Sequence, residues 1–290
     1  MRVFIIGGNG QIGYELCTLL KGAGIHHYAP IREQLDLNDT QQVYDVITEY
    51  RPTIVVNTAG HRNPARAESE PSHCFFLNRD VPSALAKVCD QYKMVLMHIS
   101  SWRVFDGMKQ EVYTTKDVPN PSGVLGSSFW QGEQHIREYC PRHIILRLSW
   151  VISPRGRNRL TRILNNLTNN KPVNVSANSR GRPTPADDVA RVILAIMRQI
   201  DCNAKVWGTY HYNAAETVDE VSFAEVILAE ASQYRDFPLN PAELPESDNT
   251  GKTVNACLET AHLRNTFGIH AKSWRSGVAR LIRDIYVDGE

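Results

Sequence analysis

The 290-residue sequence lacks any uninterrupted apolar run of about 18 residues, the length that a membrane-spanning helix needs. Near the N-terminus only Val3–Ile6 is continuously apolar before Gly7 and Gly8 interrupt the run. A secretory signal requires a longer apolar segment, so none is predicted here. We therefore expect a cytoplasmic protein with no membrane partner.

Cysteine pairs and metal-ligand sets are also missing. The six cysteines are scattered, with no two at C-x-x-C spacing, and the ten histidines form no ligand set. His26 and His27 are adjacent, so in a strand their side chains would point to opposite faces. We expect the cysteines to be small buried residues in a reducing compartment, and we expect no dedicated metal site.

A surplus of charge of either sign is absent as well. Lys and Arg number 32 against 31 Asp and Glu, which gives a formal net charge of +1. A protein whose main partner is a nucleic acid polymer usually carries a basic surplus, so that class is excluded. Hydrophobic residues make up 42% of the chain, which excludes a disordered chain. The length allows roughly two domains, or one large α/β unit with an appended lobe.

What the sequence does contain is an alternation of short β-branched runs with helical patterns. Ile12, Leu16, Leu19 and Leu20 recur at helical spacing after the first run and give one apolar helix face. The predicted strands are Arg2–Ile6, Ile25–Pro30, Thr53–Asn57, Met94–Ser100 and His143–Leu148. This alternation predicts right-handed crossovers and an α/β fold with a doubly wound parallel sheet of the Rossmann type.

The second half of the chain is less regular. Patterning predicts helices over Asn158–Asn169, Ala186–Ile200 and Ser222–Tyr234 and from Trp274 onward, a strand over Gly208–Asn213 and a surface loop over Asp236–Thr250. We expect a dinucleotide-binding domain in residues 1–150, to which the chain returns around residues 182–200. A smaller substrate-binding lobe is expected in residues 151–290.

A glycine-rich turn links the first predicted strand to the first predicted helix. It reads Gly7-Gly8-Asn9-Gly10-Gln11-Ile12-Gly13, with glycines at G-x-x-G-x-x-G spacing. Without a Cβ atom the backbone can approach a pyrophosphate, which then sits on the N-terminal amides of the helix. The turn therefore predicts a dinucleotide site that includes Gly7, Gly10, Gln11, Ile12 and Gly13. The alternative is a turn that serves tight packing only.

The choice between NAD and NADP depends on the end of the second strand. NAD sites usually carry an Asp or Glu about 20 residues after the glycines, for the ribose 2′-hydroxyl. Here the stretch reads Ala29-Pro30-Ile31-Arg32, without an acid. Arg32 favours NADP, whose 2′-phosphate it would bind, with NAD as the second choice and a solvated surface arginine as the alternative role. Asp36 and Leu37 follow at a place from which a side chain would reach the adenine.

Several further segments, taken together, resemble one family, the extended short-chain dehydrogenases of the dTDP-4-dehydrorhamnose reductase type. That family also includes the regulatory β subunit of methionine adenosyltransferase. The resemblance runs from residue 1 to about residue 285. The matching segments, besides the glycine turn, are Gln34-Leu35-Asp36-Leu37, Val56-Asn57-Thr58-Ala59-Gly60, Glu68-Ser69-Glu70-Pro71, Leu77-Asn78, Val104-Phe105-Asp106-Gly107, Gly132-Glu133, Leu146-Arg147-Leu148-Ser149-Trp150, Gly181-Arg182-Pro183-Thr184, Asp188-Val189-Ala190 and Asn255-Ala256-Cys257-Leu258.

The resemblance implies an NAD(P)H-dependent oxidoreductase that reduces a 4-keto nucleotide-sugar, held by the C-terminal lobe over the nicotinamide. It adds Ala59, Gly60 and Asn78 to the cofactor site. It assigns Trp150, Arg182 and Thr184 to the substrate site. In such a family a Tyr donates the proton, a Lys four residues later lowers the pKa of that Tyr and holds the nicotinamide ribose, and a Ser or Thr orients the carbonyl.

This sequence departs from the family at the Tyr–Lys pair. Aligned on Gly126 and Gly132-Glu133, the Tyr position holds Leu125 and the Lys position holds Phe129. None of the eleven tyrosines is followed four residues later by Lys, so the pair has not moved elsewhere. Ser101 keeps the hydroxyl position and is the one catalytic candidate left.

The segment after the fourth predicted strand is altered too. The family has Thr-Asp-Tyr there, whereas this chain has Ser101-Trp102-Arg103. Trp102, Leu125 and Phe129 would make the former active site bulky and apolar. Arg103 is then either a recognition residue for a phosphate or carboxylate of the substrate or a solvated side chain.

Three hypotheses follow. The first is a diverged or non-catalytic protein that binds NADP and a nucleotide or nucleotide-sugar. The second is an active NADPH-dependent reductase on an unusual substrate, with proton delivery from Ser101 and water or from a substrate group. The third is a regulatory subunit that docks to a partner enzyme, and a homodimer is also compatible with the sequence.

Overall fold

The computed structural model describes residues 1–237 and 254–287. Its centre is a six-stranded sheet formed by β1 (Arg2–Ile6), β2 (His26–Tyr28), β3 (Ile54–Asn57), β4 (Val95–Ser101), β5 (His143–Leu148) and β9 (Gly208–Tyr212). The strands are in the order β2-β1-β3-β4-β5-β9, and each neighbouring pair is parallel. The predicted α/β fold with a doubly wound parallel sheet is confirmed.

Helices cover both faces of this sheet, with α1 and α8 on one face and α2 and α5 on the other. The α-helices of the described residues are α1 (Gln11–Gly22), α2 (Thr40–Tyr50), α3 (Pro64–Ser69), α4 (Pro71–Phe75), α5 (Val81–Gln91), α6 (Gly123–Tyr139), α7 (Arg159–Thr168), α8 (Ala186–Asp201), α9 (Glu220–Ala231), α10 (Ala261–Phe267) and α11 (Trp274–Tyr286). Successive residues of β1 point to opposite faces, so Val3 and Ile5 pack with α1 and α8, while Phe4 and Ile6 pack with α2 and α5. Two separate apolar cores result, one on each side of the sheet.

Five short strands form two further sheets beside the main one. In the first, β10 (Val218–Asp219), β7 (Ser179–Gly181) and β11 (Val254–Asn255) lie in the order β10-β7-β11, and in the second β6 (Val151–Ile152) pairs with β8 (Thr184–Pro185). A third apolar core joins α7, α9 and α11 to this part of the chain. Leu125 and Phe129 of α6 belong to that core, so α6 connects the main sheet with the C-terminal elements.

Most predicted elements are found, with shifted ends. The second strand is confined to His26–Tyr28. Asp39 caps α2, since its carboxylate accepts from the amides of Gln41 and Gln42. The chain returns to the main sheet as strand β9, after α8 has packed along α1. The division into domains at residue 150 remains a prediction.

Further expectations concern the cysteines, the predicted surface loop and the membrane. Cys74, Cys89, Cys140 and Cys257 are buried as expected, but Cys202 at the end of α8 is exposed. Of the loop predicted over Asp236–Thr250, residues 238–250 lie outside the described residues. No described helix is long and apolar enough to cross a membrane.

A buried ion cluster fixes α6 on the sheet. The carboxylate of Glu133 on α6 accepts from both Nε and Nη2 of Arg147 on β5, at 2.8 and 2.6 Å. It also accepts from the Ser100 hydroxyl at 2.6 Å and from Arg137 Nη2 at 2.7 Å. These positive charges and donors outweigh burial and lower the pKa of Glu133 to about 2. The Gly132-Glu133 segment noted in the sequence is therefore the anchor of the helix that carries Leu125 and Phe129.

Candidate functional site

The glycine turn closes tightly between β1 and α1. The amide of Gly10 donates to the carbonyl of Gly7 at 2.9 Å, and Gly7 has a φ of +81°. A Cβ atom on Gly13 would lie 2.2 Å from the same Gly7 carbonyl oxygen, so α1 and the turn approach each other only if residue 13 is glycine. The first residues of α1 and its N-cap, Gly10 to Ile12, line the crevice beside the turn and the adjoining cavity. The amides of a first helical turn have no partner within the helix, so an anion would be stabilised there.

That crevice lies where the strand order reverses. From β1 the chain leads to β2 on one side and then to β3 on the other, which opens a cleft at the carboxyl ends of the strands. Predicted cofactor residues that line the cleft are Gly7, Gly10, Arg32, Leu37, Ala59 and Gly60. Gln11 and Ile12 line the cavity that continues from it.

Three predicted cofactor residues do not line either space. Gly13 lies behind the turn, as described above. The carboxylate of Asp36 is occupied by Asn38, from whose backbone and side-chain nitrogens it accepts at 2.9 and 2.7 Å, and these bonds lower the pKa of Asp36. Asn78 is buried on a π-helical turn over Phe76–Asp80.

Asn78 supports the site from behind. Its Oδ1 accepts from the amide of His61 at 2.7 Å, while its Nδ2 donates to the His61 carbonyl and the Ser128 hydroxyl. It therefore links the loop after β3 to α6. Single-turn π-helices often occur beside functional sites, and this one places a positioning residue there.

The second space is a cavity at the carboxyl ends of β4 and β5. Ser101, Leu125 and Phe129 all line it, and Leu125 and Phe129 are one helical turn apart on α6. Both apolar side chains are nearly covered, at 3% and 6% exposure. The Ser101 hydroxyl accepts from the amide of Arg103 at 3.2 Å. The sequence-based placement of these residues around one site is therefore matched by their positions.

The described residues that line the cavity include no side chain that commonly acts as an acid or base near neutral pH. Among the described residues that line it there is no Tyr, Lys, His, Cys, Asp or Glu. Its hydroxyl groups come from Thr58, Ser100, Ser101 and Ser149, and its charges come from arginines. The Ser149 hydroxyl is buried and lacks a hydrogen-bond partner among the described residues.

Of the predicted substrate residues, Trp150 and Arg103 line the cavity, whereas Arg182 and Thr184 do not. Trp150 has a φ of +20°, which is rare for a bulky residue and which is typical of functional sites. A Cβ atom on Gly181 would lie 2.3 Å from the Trp150 ring, so glycine is needed there. Arg182 donates to the Thr217 hydroxyl at 3.1 Å and to the carbonyl of Leu258, and therefore holds loops together. Thr184 is buried and caps the Arg182 carbonyl through its hydroxyl.

Three arginines at the cavity were not predicted. Arg62 follows the segment after β3, while Arg157 and Arg159 precede and begin α7. The sequence carries a signal for the second group, since Arg155, Arg157, Arg159 and Arg162 crowd into eight residues of a chain with almost no net charge. Gln11 fastens this segment to the cofactor turn by donating to the Arg155 carbonyl at 2.9 Å.

Comparisons with known proteins agree with this geometry. Residues 1–287 match the family model described as RmlD substrate binding domain. The dTDP-4-dehydrorhamnose reductase of Sinorhizobium fredii is 30% identical over 297 residues, which cover 100% of this chain and 99% of that protein. The structure of the dTDP-4-dehydrorhamnose reductase of Bacillus anthracis in complex with NADP has a TM-score of 0.85 at 26% identity and covers 98% of each chain. The Bordetella bronchiseptica enzyme WbmG in complex with NAD and UDP shares the fold, with a TM-score of 0.83 at 16% identity over 99% of this chain and 96% of that one.

Proposed function

The chain belongs to the RmlD substrate binding domain family, and from that premise we propose that it binds NADP and a nucleotide-sugar without catalysing the reduction of its relatives by a Tyr–Lys pair. It is similar to dTDP-4-dehydrorhamnose reductases along its whole length. The observation that supports this proposal most directly concerns the cavity at Ser101. The described residues that line it include neither a Tyr nor a Lys, the two residue types that deliver the proton in the reductase family. Leu125 and Phe129 fill the two positions concerned.

The adenosine half of the cofactor site fits a dinucleotide. The glycine turn leaves no room for a Cβ atom at residue 13, and the N-cap of α1 lines the cleft. Arg32 and Leu37 line the far end, where a 2′-phosphate and an adenine would lie. The structure of the Bacillus anthracis reductase is a complex with NADP, which supports NADP rather than NAD as the cofactor of this protein. In its reduced form, NADPH, the bound cofactor would supply the hydride of a reduction.

The nicotinamide half has lost its contacts. A Lys at residue 129 would have given a charge-assisted hydrogen bond to the ribose, worth about 1.5–3 kcal/mol. Phe129 cannot form this hydrogen bond, so the affinity for NADPH should come from contacts with its adenosine half. The charged side chains of Arg103 and Arg159 are poor replacements for the Tyr as proton donor, because a guanidinium is a weak acid. This holds even though burial lowers the pKa of Arg159 to about 10.

The test separates binding from chemistry. We expect NADPH fluorescence titration to show saturable binding. NADPH oxidation with a dTDP-4-keto-6-deoxysugar should be at least about 100-fold slower than with the Bacillus anthracis reductase assayed in parallel, since a general acid contributes about 10²–10⁴-fold. Absence of NADPH binding would refute the cofactor assignment. Ordinary turnover would favour the active-reductase hypothesis, and Ser101→Ala would then show whether that hydroxyl delivers the proton.

Cofactor preference provides a second prediction. Arg32 lines the cleft and makes no ion pair with another described residue. If it binds the 2′-phosphate, Arg32→Ala should weaken NADPH binding by roughly tenfold or more and leave NADH binding unchanged, because only NADPH carries that charge. Isothermal titration with both cofactors measures the ratio. Arg198→Ala, which removes an exposed arginine on α8 away from the cleft and the cavity, is the control. Equal losses for both cofactors would exclude the proposed role of Arg32.

A further inference from the structure

The cavity opens into a wide mouth whose charge is one-sided. Among the described residues the mouth is lined by seven arginines and a single carboxylate, that of Glu220. The whole chain has a formal net charge of only +1, so this concentration is local. Arg62, Arg103, Arg157 and Arg159 line both the mouth and the inner cavity. We call these four side chains the inner arginines.

Arg159 is held in place but poorly neutralised. Its guanidinium lies 4.1 Å from the Trp150 ring centroid, which fixes its plane. Its Nε is 3.5 Å from Glu220 Oε1 and is buried without a hydrogen bond among the described residues. The same Glu220 oxygen already accepts from Arg162 at 2.5 Å. One carboxylate therefore serves two arginines, and Arg159 keeps unused donors.

Arg103 and Arg62 have no anionic partner among the described residues. Neither guanidinium makes an ion pair or a hydrogen bond with another described side chain. Arg103 is half-buried and lies against Trp102, whereas Arg62 is exposed at the entrance. Burial lowers the pKa of Arg103, and the nearby Arg103 charge contributes to the lowered pKa of Arg159. Positive charges placed together in a partly covered site are costly unless an anion joins them.

We propose that the inner arginines bind a carboxylate carried by the sugar of the ligand, so that this protein takes a nucleotide-linked uronic acid or similar acidic sugar. The proposal rests on the proposed function, since it names the substrate class of the same site. A planar carboxylate matches the guanidinium fork with two parallel hydrogen bonds. Trp150 and Trp102 hold two of these forks in defined planes.

The position of the cluster favours the sugar over the diphosphate. Arg103 follows Ser101 directly, and both line the cavity with Leu125 and Phe129. In the resemblance that end of the site receives the reacting sugar, whereas the diphosphate is one linkage further away. An acidic sugar carries its charge on a ring substituent, so it can reach this end. A neutral sugar would leave the inner arginines without a partner.

Matched nucleotide-sugars provide the test. Isothermal titration of the NADP-saturated protein with UDP, UDP-glucose and UDP-glucuronate, and with the corresponding thymidine series, isolates the carboxylate. We expect the glucuronate to bind about tenfold or more tightly than the glucose compound, because hydrogen bonds between charged groups exceed neutral ones by that amount. In Arg103→Gln and in Arg159→Gln this ratio should fall toward one. Arg198→Gln, an exposed position on α8 that lines neither the cavity nor its mouth, should preserve it. Unchanged NADP affinity in each variant shows that the protein is folded.

Three results would overturn the proposal. Equal affinity for the glucose and glucuronate compounds would show that no carboxylate is recognised. An equal loss for all three ligands, UDP included, in Arg103→Gln would assign the cluster to the diphosphate. Binding of none of them would exclude the acidic sugar as ligand. The NADP titration on the same samples reports separately on the proposed function, so the two failures are distinguishable.

Discussion

The double variant Leu125→Tyr/Phe129→Lys is expected to gain both NADPH affinity and reductase activity. The introduced Lys would supply the missing hydrogen bond to the nicotinamide ribose, worth about 1.5–3 kcal/mol, or roughly tenfold or more in affinity. The introduced Tyr would restore the proton donor, for which we expect about 10²–10⁴-fold in rate. Both positions line the cavity beside Ser101, so the new groups would face the correct space. Fluorescence titration and NADPH oxidation measure the two effects.

The control for this variant keeps the size of the side chains but adds no proton-handling group. Leu125→Phe/Phe129→Met fits that purpose, and we expect no gain from it. A double variant that folds but gains neither affinity nor rate would indicate that the cavity no longer accepts the nicotinamide ribose. In that case the divergence would extend beyond the two exchanged residues. The acidic-sugar substrates proposed above belong in the same assay, because Arg103 and Arg159 disfavour a neutral sugar.

The buried Glu133 cluster predicts the largest loss of stability. Glu133→Ala should lower the free energy of unfolding by about 3–5 kcal/mol, because Arg147 would remain buried beside an empty site. Arg147 is 2% exposed and Glu133 is fully covered, so water cannot replace the lost carboxylate. Urea denaturation measures the change. Glu138→Ala, an exposed position on the same helix, should cost little, and a similar small loss at Glu133 would contradict the expected role.

The same cluster predicts loss of stability in acid. The folded pKa of Glu133 is lowered from 4.5 to about 2, so its contribution is complete above pH 4.5 and disappears as the pH falls toward 2. Burial also lowers the pKa of His98 to about 4 and of His211 to about 3. Those two side chains are neutral in the folded state, so they add to the loss below their unfolded value of 6.5. Glu133→Gln should flatten the dependence of stability on pH below 4.5.

Much of the fold was predictable because its signals are local. The β-branched runs predict β1, β3, β4 and β5 to within a residue or two, since a strand buried on both faces needs continuous apolar residues. The glycine turn predicts the cleft because the spacing of its glycines follows from close contacts among only seven consecutive residues. The predicted loss of the Tyr–Lys pair also rests on local sequence. It needs only the alignment on Gly126 and Gly132-Glu133.

Residues whose role depends on distant partners were harder to place. Asn78 was assigned to the cofactor, yet its amide is used by His61 and Ser128. Arg182 and Thr184 were assigned to the substrate, yet they hold Thr217, Leu258 and each other. The sequence shows the same residue type whether a polar side chain contacts a ligand or stabilises a loop. Which of the two it contacts depends on packing between elements that are far apart in the chain.

The sequence by itself therefore determined the parallel sheet and the glycine turn, because periodicity and turn sterics act over a few residues, and it predicts the loss of the proton donor. Only the tertiary structure decided that β9 completes the sheet and that Arg62, Arg103 and Arg159 meet at one cavity. These arginines come from three separate segments, which follow β3, β4 and β6. Their convergence depends on strand order and on the packing of α6 and α7, which no local pattern encodes.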